Sequence, residues 1–182
     1  MERLSVFSKE LELIKNATIK KFVTDSLEAL PDYFFKVAAS STGKYHPAFA
    51  LGEGGLVRHT KAAVTFAIEL FRNNTVQNFT DDEKDIIVTA LILHDGCKHG
   101  LNGSSFTVAT HPKEVVGFLK ENVPQCEYSE IIYSAIETHM GEWNTDFKSK
   151  KVILDKPKSK IQRFVHMCDY LASRKCIDMK FD

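Results

Sequence analysis

Residues 86–93, IIVTALIL, offer almost no polar face at any helical phase, and they run straight into His94 and Asp95. A helix that is apolar nearly all round cannot lie on a surface, so it must be covered by other helices on every side. Thr80 and Glu83 stand in capping-box register ahead of this run and set its start. The spacing thus predicts a central helix whose C-terminal end delivers an imidazole and a carboxylate into the interior of an all-α protein.

The rest of the chain supplies helices to cover it. From Val6 to about Ala39 apolar residues recur at mixed three- and four-residue steps, a helical lead-in, with Pro31 able to open a short second helix holding Phe34, Phe35 and Val37. Ser40 to Gly55 is rich in Ser, Gly and Pro and reads as a loop. Leu56 to Phe71 has neither Gly nor Pro, and His59, Ala63, Phe66 and Leu70 share one helical face. A polar loop is expected from Asn73 to Asn78, and another from Lys98 to Ser105. Pro112 sits in the first turn of a helix through Val115, Val116 and Leu119. Ser129 is placed to cap the next helix, where Ile132, Ala135, Ile136 and His139 share a face before Gly141 stops it. After a lysine-rich loop, a last helix from near Lys158 buries Ile161, Phe164, Val165, Cys168 and Leu171, with Asp169 beside that face. There is no convincing strand alternation, no repeat and no heptad run, so about seven helices in one compact bundle are expected.

Charge and cysteine usage exclude several function classes. The 24 basic and 24 acidic residues cancel, so no global field draws in nucleic acid or an anionic membrane, and an anionic substrate must be held locally. The lysines from Lys148 to Lys160 read as a solvated loop. Cys97, Cys126, Cys168 and Cys176 form no C-x-x-C pair and read as reduced thiols. Charges every few residues in the N-terminal stretch are incompatible with a signal peptide or membrane span. The expectation is a cytoplasmic protein with no membrane partner.

Four of these helices bring a histidine or aspartate to the edge of an apolar stripe. An isolated buried carboxylate such as Asp169 would cost several kcal/mol, so it must be protonated, paired or bound to a cation. One metal site resolves His59, His94, Asp95 and Asp169 together. Two imidazoles and two carboxylates suit a divalent transition metal, Mn, Fe, Co, Ni or Zn, with positions left open for water. Taken singly, histidines on helices are usually satisfied packing residues, and His46, His99 and His166 are read so.

The order His59, then His94-Asp95, then Asp169 on separate helices resembles the HD-domain phosphohydrolase superfamily. HDGCK resembles its H-D-x-x-K form. GEGGLVRHT resembles the G-G-L-x-x-H-T segment opening the first ligand helix in HD-type 3′-5′ exoribonucleases and their relatives, and IETHMGEW resembles their histidine-plus-E-W segment. The likeness spans roughly Tyr45 to Lys175, which divides the chain into an N-terminal helical extension, 1–44, and an HD-type domain, 45–182. Two departures from the exoribonuclease pattern stand out: residues 1–44 read as helical and not as an OB-like domain, and His139-Met140 stands where that pattern has paired histidines.

The resemblance implies a fold, a site and a reaction. The fold would be a compact HD bundle with the metal site in its core. His111 and His139 stand where binuclear members add ligands for a second ion, with Asp95 bridging; with one ion they would instead face phosphate or act as acid and base. Asp95 and Lys98 would be the catalytic pair, Lys98 acting electrostatically on the substrate phosphate. Ser173 shares the Asp169 face and Arg174 offers a fork suited to phosphate, though both also fit a solvated face. Trp143 can stack on a nucleobase, although packing is its simpler role. The expected activity is cleavage of a phosphate ester, a diester by subgroup likeness, in a nucleotide or short oligonucleotide by metal-activated water. The alternatives are a nucleotidase or pyrophosphohydrolase, and a non-catalytic nucleotide-sensing module stabilised by metal. The oligomeric state is left open.

Overall fold

Nine consecutive residues, Asp85 to Leu93, are buried in the structure, a computed structural model that describes residues 3–75 and 78–181. Among those residues the chain forms seven α-helices: α1 (Ser8–Leu13), α2 (Ala17–Ala29), α3 (Gly55–Phe71), α4 (Asp81–Leu93), α5 (His111–Asn122), α6 (Ser129–Glu137) and α7 (Lys160–Ala172). Short 3-10 turns lie at Ser5–Phe7, Asp32–Phe35 and Ala48–Ala50. No strand forms among the described residues, only one isolated bridge between Thr145 and Val152. The all-helical expectation is met.

The central helix is α4, packed against α2, α3, α6 and α7. Leu91, Ile92 and Leu93 are fully buried, each contributing about 1.5–3 kcal/mol relative to exposure. Its capping box forms as expected: Thr80 Oγ1 accepts from Glu83 N at 3.2 Å, and Thr80 N donates to Glu83 Oε2 at 2.9 Å. α7 starts on a second capping box, Ser159 with Gln162, that the sequence reading did not single out.

The lead-in is two helices rather than one. Asn16 interrupts it and caps α2, its Oδ1 accepting from Thr18 N and Ile19 N. The backbone N–H groups of Lys15 and Asn16 donate to Asp85 Oδ2 at 2.9 and 2.7 Å. This explains how an aspartate only 5% exposed is tolerated on α4, since its charge accepts two otherwise orphaned donors. Phe7, Phe22, Leu27 and Phe34 join the same hydrophobic core as α3 to α7, so the N-terminal helices and the remainder share one interior.

Other boundaries shift for local reasons. Pro31 opens only a 3-10 turn, Asp32–Phe35, which leaves Val37 outside it. The polar loop after α3 is seen from Asn73 to Thr75 and from Asn78 onward, with 76 and 77 outside the described residues. Ser129 is the first residue of α6 and not its cap: its hydroxyl accepts from Cys126 N in the preceding turn. α6 ends at Glu137, so His139 lies in the turn beyond it. Gly141 closes that turn at φ +59°, where a Cβ would fall 2.2 Å from His166 Cε1; only glycine fits. Among the described residues no helix is long and apolar enough to cross a membrane.

Candidate metal centre

Five segments converge on one buried point. α3 supplies His59, the end of α4 supplies His94 and Asp95, the first residue of α5 is His111, the turn after α6 carries His139, and α7 brings Asp169. His59 and His94 are 0% exposed, and Asp95, His111 and His139 are 1% exposed, while the Asp169 side chain keeps 17%.

Asp95 stands between two groups of imidazoles. Its Oδ2 lies 3.3 Å from His94 Nε2 and 3.7 Å from His59 Nε2, and its Oδ1 lies 3.0 Å from His111 Nε2 and 3.7 Å from His139 Nε2. Asp169 Oδ1 completes the first group, 3.0 Å from His59 Nε2 and 3.5 Å from His94 Nε2. Three sets of ligand atoms are each close enough to hold a common ion: His59, His94 and Asp95; His94, His139 and Asp169; Asp95, His111 and His139. The buried cluster could therefore bind metal, and Asp95 belongs to a set on either side.

The ring orientations fit a cation. Nδ1 of His94 lies 2.6 Å from Leu91 O, Nδ1 of His111 2.7 Å from Val108 O, and Nδ1 of His139 2.7 Å from Ile136 O. A carbonyl only accepts, so each Nδ1 must carry a proton, which leaves Nε2 as the atom that can take a second proton or a metal ion. Carbonyl-bonded Nδ1–H groups are the usual support for metal-ligating histidines. The His111 and His139 Nε2 atoms are 3.2 Å apart, where two lone pairs repel unless a proton or a cation lies between them. His59 Nε2, His94 Nε2 and Asp95 Oδ1 are buried without a well-formed hydrogen bond, although each has an oppositely charged neighbour.

Without an ion, protons take up the strain. Burial alone would lower His94, but the charges of Asp95 and Asp169 lift its pKa to about 10. Burial, followed by the neighbouring charge of His94, lowers His139 to about 3, and burial also lowers His59 against the pull of Asp169. Burial would raise the two carboxyl groups. Instead Lys98 and His94 hold Asp95 well below the usual range, and the His59 and His94 imidazoles do the same for Asp169. Two carboxylates thus face two positive charges, Lys98 and a protonated His94, so a metal ion bound here would take the place of the His94 proton.

Lys98 is 7% exposed and makes a close ion pair with Asp95 Oδ2. It sits in a turn instead of an open loop, its N–H donating to Asp95 O at 3.0 Å. Tyr33 braces that turn by stacking on His99 and donating to Gly100 O at 2.8 Å.

Trp143, Ser173 and Arg174 come together away from these first contacts. Trp143, 45% exposed, stacks on Tyr170 with ring centroids 5.6 Å apart and an interplanar angle of 11°. Arg174 lies 4.1 Å from the Tyr170 centroid and donates to Ser173 Oγ. Ser173 and Arg174 are thus paired with each other and make no contact with the ligand atoms in the structure. Tyr170 follows Asp169 directly, and His166 Nδ1 donates to His139 O at 2.6 Å, which sets the platform beside the cluster.

Sequence reasoning missed the placement of His46 and Tyr170 beside the cluster, whereas His166, read as a satisfied histidine, is one. The His46 ring meets His59 edge-on with centroids 4.8 Å apart, and its Nδ1 is buried without a partner. Burial and the Lys98 charge hold it neutral. It stands in a loop with no helical phase to reveal its direction, whereas Tyr170 lies four residues after His166 and could have been found from that helical spacing on α7.

Comparison of the chain with family models, with curated proteins and with solved structures found no match.

Proposed function

We propose that this protein is a metal-dependent phosphohydrolase of the HD type that cleaves a phosphate ester, most suitably a diester, of a nucleotide or short oligonucleotide. The observation that carries the reading is the set of three Nε2 atoms aimed at Asp95 by backbone carbonyls, two of them 3.2 Å apart. Such a set is costly to bury unless it holds a cation. His59, His94, Asp95 and Asp169 would hold one ion, and Asp95, His111 and His139 a second. Histidine-rich and carboxylate-bearing, the set favours Mn, Fe, Co, Ni or Zn over magnesium. Ions bound there would supply Lewis-acid activation of water and of a phosphoryl oxygen.

The chain's own residues do the rest. Lys98, held by Asp95 at the edge of the cluster, offers fixed positive charge to a phosphoryl oxygen. The exposed face of Trp143 offers a stacking surface to a base, with Arg174 adding positive charge at the same platform.

The test is metal content of protein purified without chelators, together with hydrolysis of bis-p-nitrophenyl phosphate and p-nitrophenyl phosphate under added Mn, Co, Ni or Mg. The expected result is bound transition metal and metal-stimulated diesterase activity that disappears in Asp95→Ala while the variant stays folded. A protein that neither binds nor responds to any of these ions overturns the reading. An Asp95→Ala variant that unfolds, with no turnover in the parent, points to a purely structural metal.

A further inference from the structure

A cleft of about 920 Å³ lies on the side of α3 turned away from the metal centre. His59, Ala62 and Ala63 are buried within the bundle, whereas Val57, Arg58, Lys61 and Thr65 of the same helix line this cleft. Opposite them stand residues of the first two helical segments and of the chain's C-terminal stretch, Lys180 and Phe181 included.

The lining has three chemically distinct parts. Six basic side chains face three acidic ones, a local excess of positive charge in a chain whose net charge is zero. Three of the six are already engaged: Arg3 pairs with Asp32, Lys61 lies 3.5 Å from Glu10, and Arg58 donates to Phe49 O and Leu51 O. The side chains of Lys9, Lys36 and Lys180 make no hydrogen bond or ion pair with any described residue, which leaves three exposed cations lining the cleft. Deeper, Glu10 is 9% exposed and its Oε2 is buried against Lys61 Nζ at 3.5 Å, an ion pair without a well-formed hydrogen bond. A carboxylate accepts at about four lone-pair positions, so beside this one long pairing Glu10 keeps capacity for a ligand hydroxyl or N–H. Val6, Phe35, Val57 and Phe181 supply the apolar wall.

We infer that this cleft is a second ligand site, separate from the metal centre, that takes a nucleoside phosphate: phosphate on Lys9, Lys36 and Lys180, a sugar hydroxyl on Glu10, and the base against Phe35 and Phe181. Lysines suit phosphate as mobile point charges, and a buried carboxylate discriminates for a donor-bearing ligand. Arg58 ties the cleft to the 48–51 turn through its two carbonyl bonds, and α3 carries His59 on its other face, so the two sites share one rigid helix.

Titration calorimetry of the full chain with AMP, ATP and pyrophosphate tests this, comparing the parent with Asp95→Asn, Glu10→Gln and the double variant Lys9→Glu/Lys36→Glu. Both lysines are exposed, so the double variant should fold, which circular dichroism checks. A nucleotide isotherm that survives Asp95→Asn, weakens on the order of tenfold or more in the double variant, and loses its preference for AMP over pyrophosphate in Glu10→Gln supports the site. Nucleotide binding that vanishes with Asp95→Asn and ignores the lysines assigns all binding to the metal centre and overturns it. Absence of any isotherm, or pyrophosphate binding as tightly as ATP in the parent, overturns it as well. None of these outcomes depends on whether the metal centre turns over a substrate.

Discussion

Lys98 reaches Asp95 from only three residues away, and both are buried. A lysine held there loses most of its hydration and is fixed in place by the carboxylate beside it, so its charge is already aimed before any substrate arrives. Replacement by methionine preserves the stem and removes the charge. Lys98→Met should therefore lower kcat by about a hundredfold while metal content, measured by mass spectrometry, stays at the parent level. Loss of metal along with activity would show that Lys98 supports Asp95 instead of acting on substrate. At this scale much of the site was legible, because His59, His94, Asp95 and Asp169 are expensive residues on otherwise apolar faces. His46 was not: its contact with His59 comes from a loop, where no periodicity shows which way a side chain turns.

Asp85 illustrates what a helix can hide. On α4 it sits among Ile86, Ile87 and Val88, and sequence pattern alone gives no reason for it. Its partners are the N–H groups of Lys15 and Asn16, some seventy residues earlier, so the pairing is tertiary and leaves no local trace. Asp85→Ala strips two part-buried N–H groups of their acceptor and should destabilise the protein by about 1–3 kcal/mol in all, read as a lower urea midpoint. Metal content at low temperature should not change, since Asp85 lies far along α4 from His94. The reverse error occurred at Ser129, where a residue type suited to capping serves the turn before its helix. Thr80 was read correctly because its partner, Glu83, is local.

The whole cluster makes stability depend on pH in a way that metal should alter. In chelator-treated protein His139, ordinarily near 6.5 and lowered to about 3, resists protonation when folded but not when unfolded, as does His59. Their contribution is complete above pH 6.5 and is lost as pH falls toward 3, with Asp95 and Asp169 adding to the loss below about 3.8. His94, raised to about 10, acts oppositely: its contribution is complete below pH 6.5 and is lost as pH rises toward 10. Urea midpoints of metal-free protein should therefore peak near pH 6.5. With a transition metal bound, the ion takes the place of the His94 proton and the alkaline decline should disappear. An alkaline limb unchanged by metal would mean that His94 is not a ligand.

Leu91, Val108 and Ile136 each stand three residues before a histidine and hold it through the main-chain carbonyl. The aiming device travels with each imidazole and does not depend on the side chain that carries the carbonyl. Over evolutionary drift the stretches between these histidines are thus free to lengthen, shorten or change composition, and so are the identities of the three holding residues. What cannot drift is the short backbone arc leading into each histidine. The centre is written as three brief local instructions repeated along the chain, and an insertion that leaves every arc intact would leave the aim of each ring intact too.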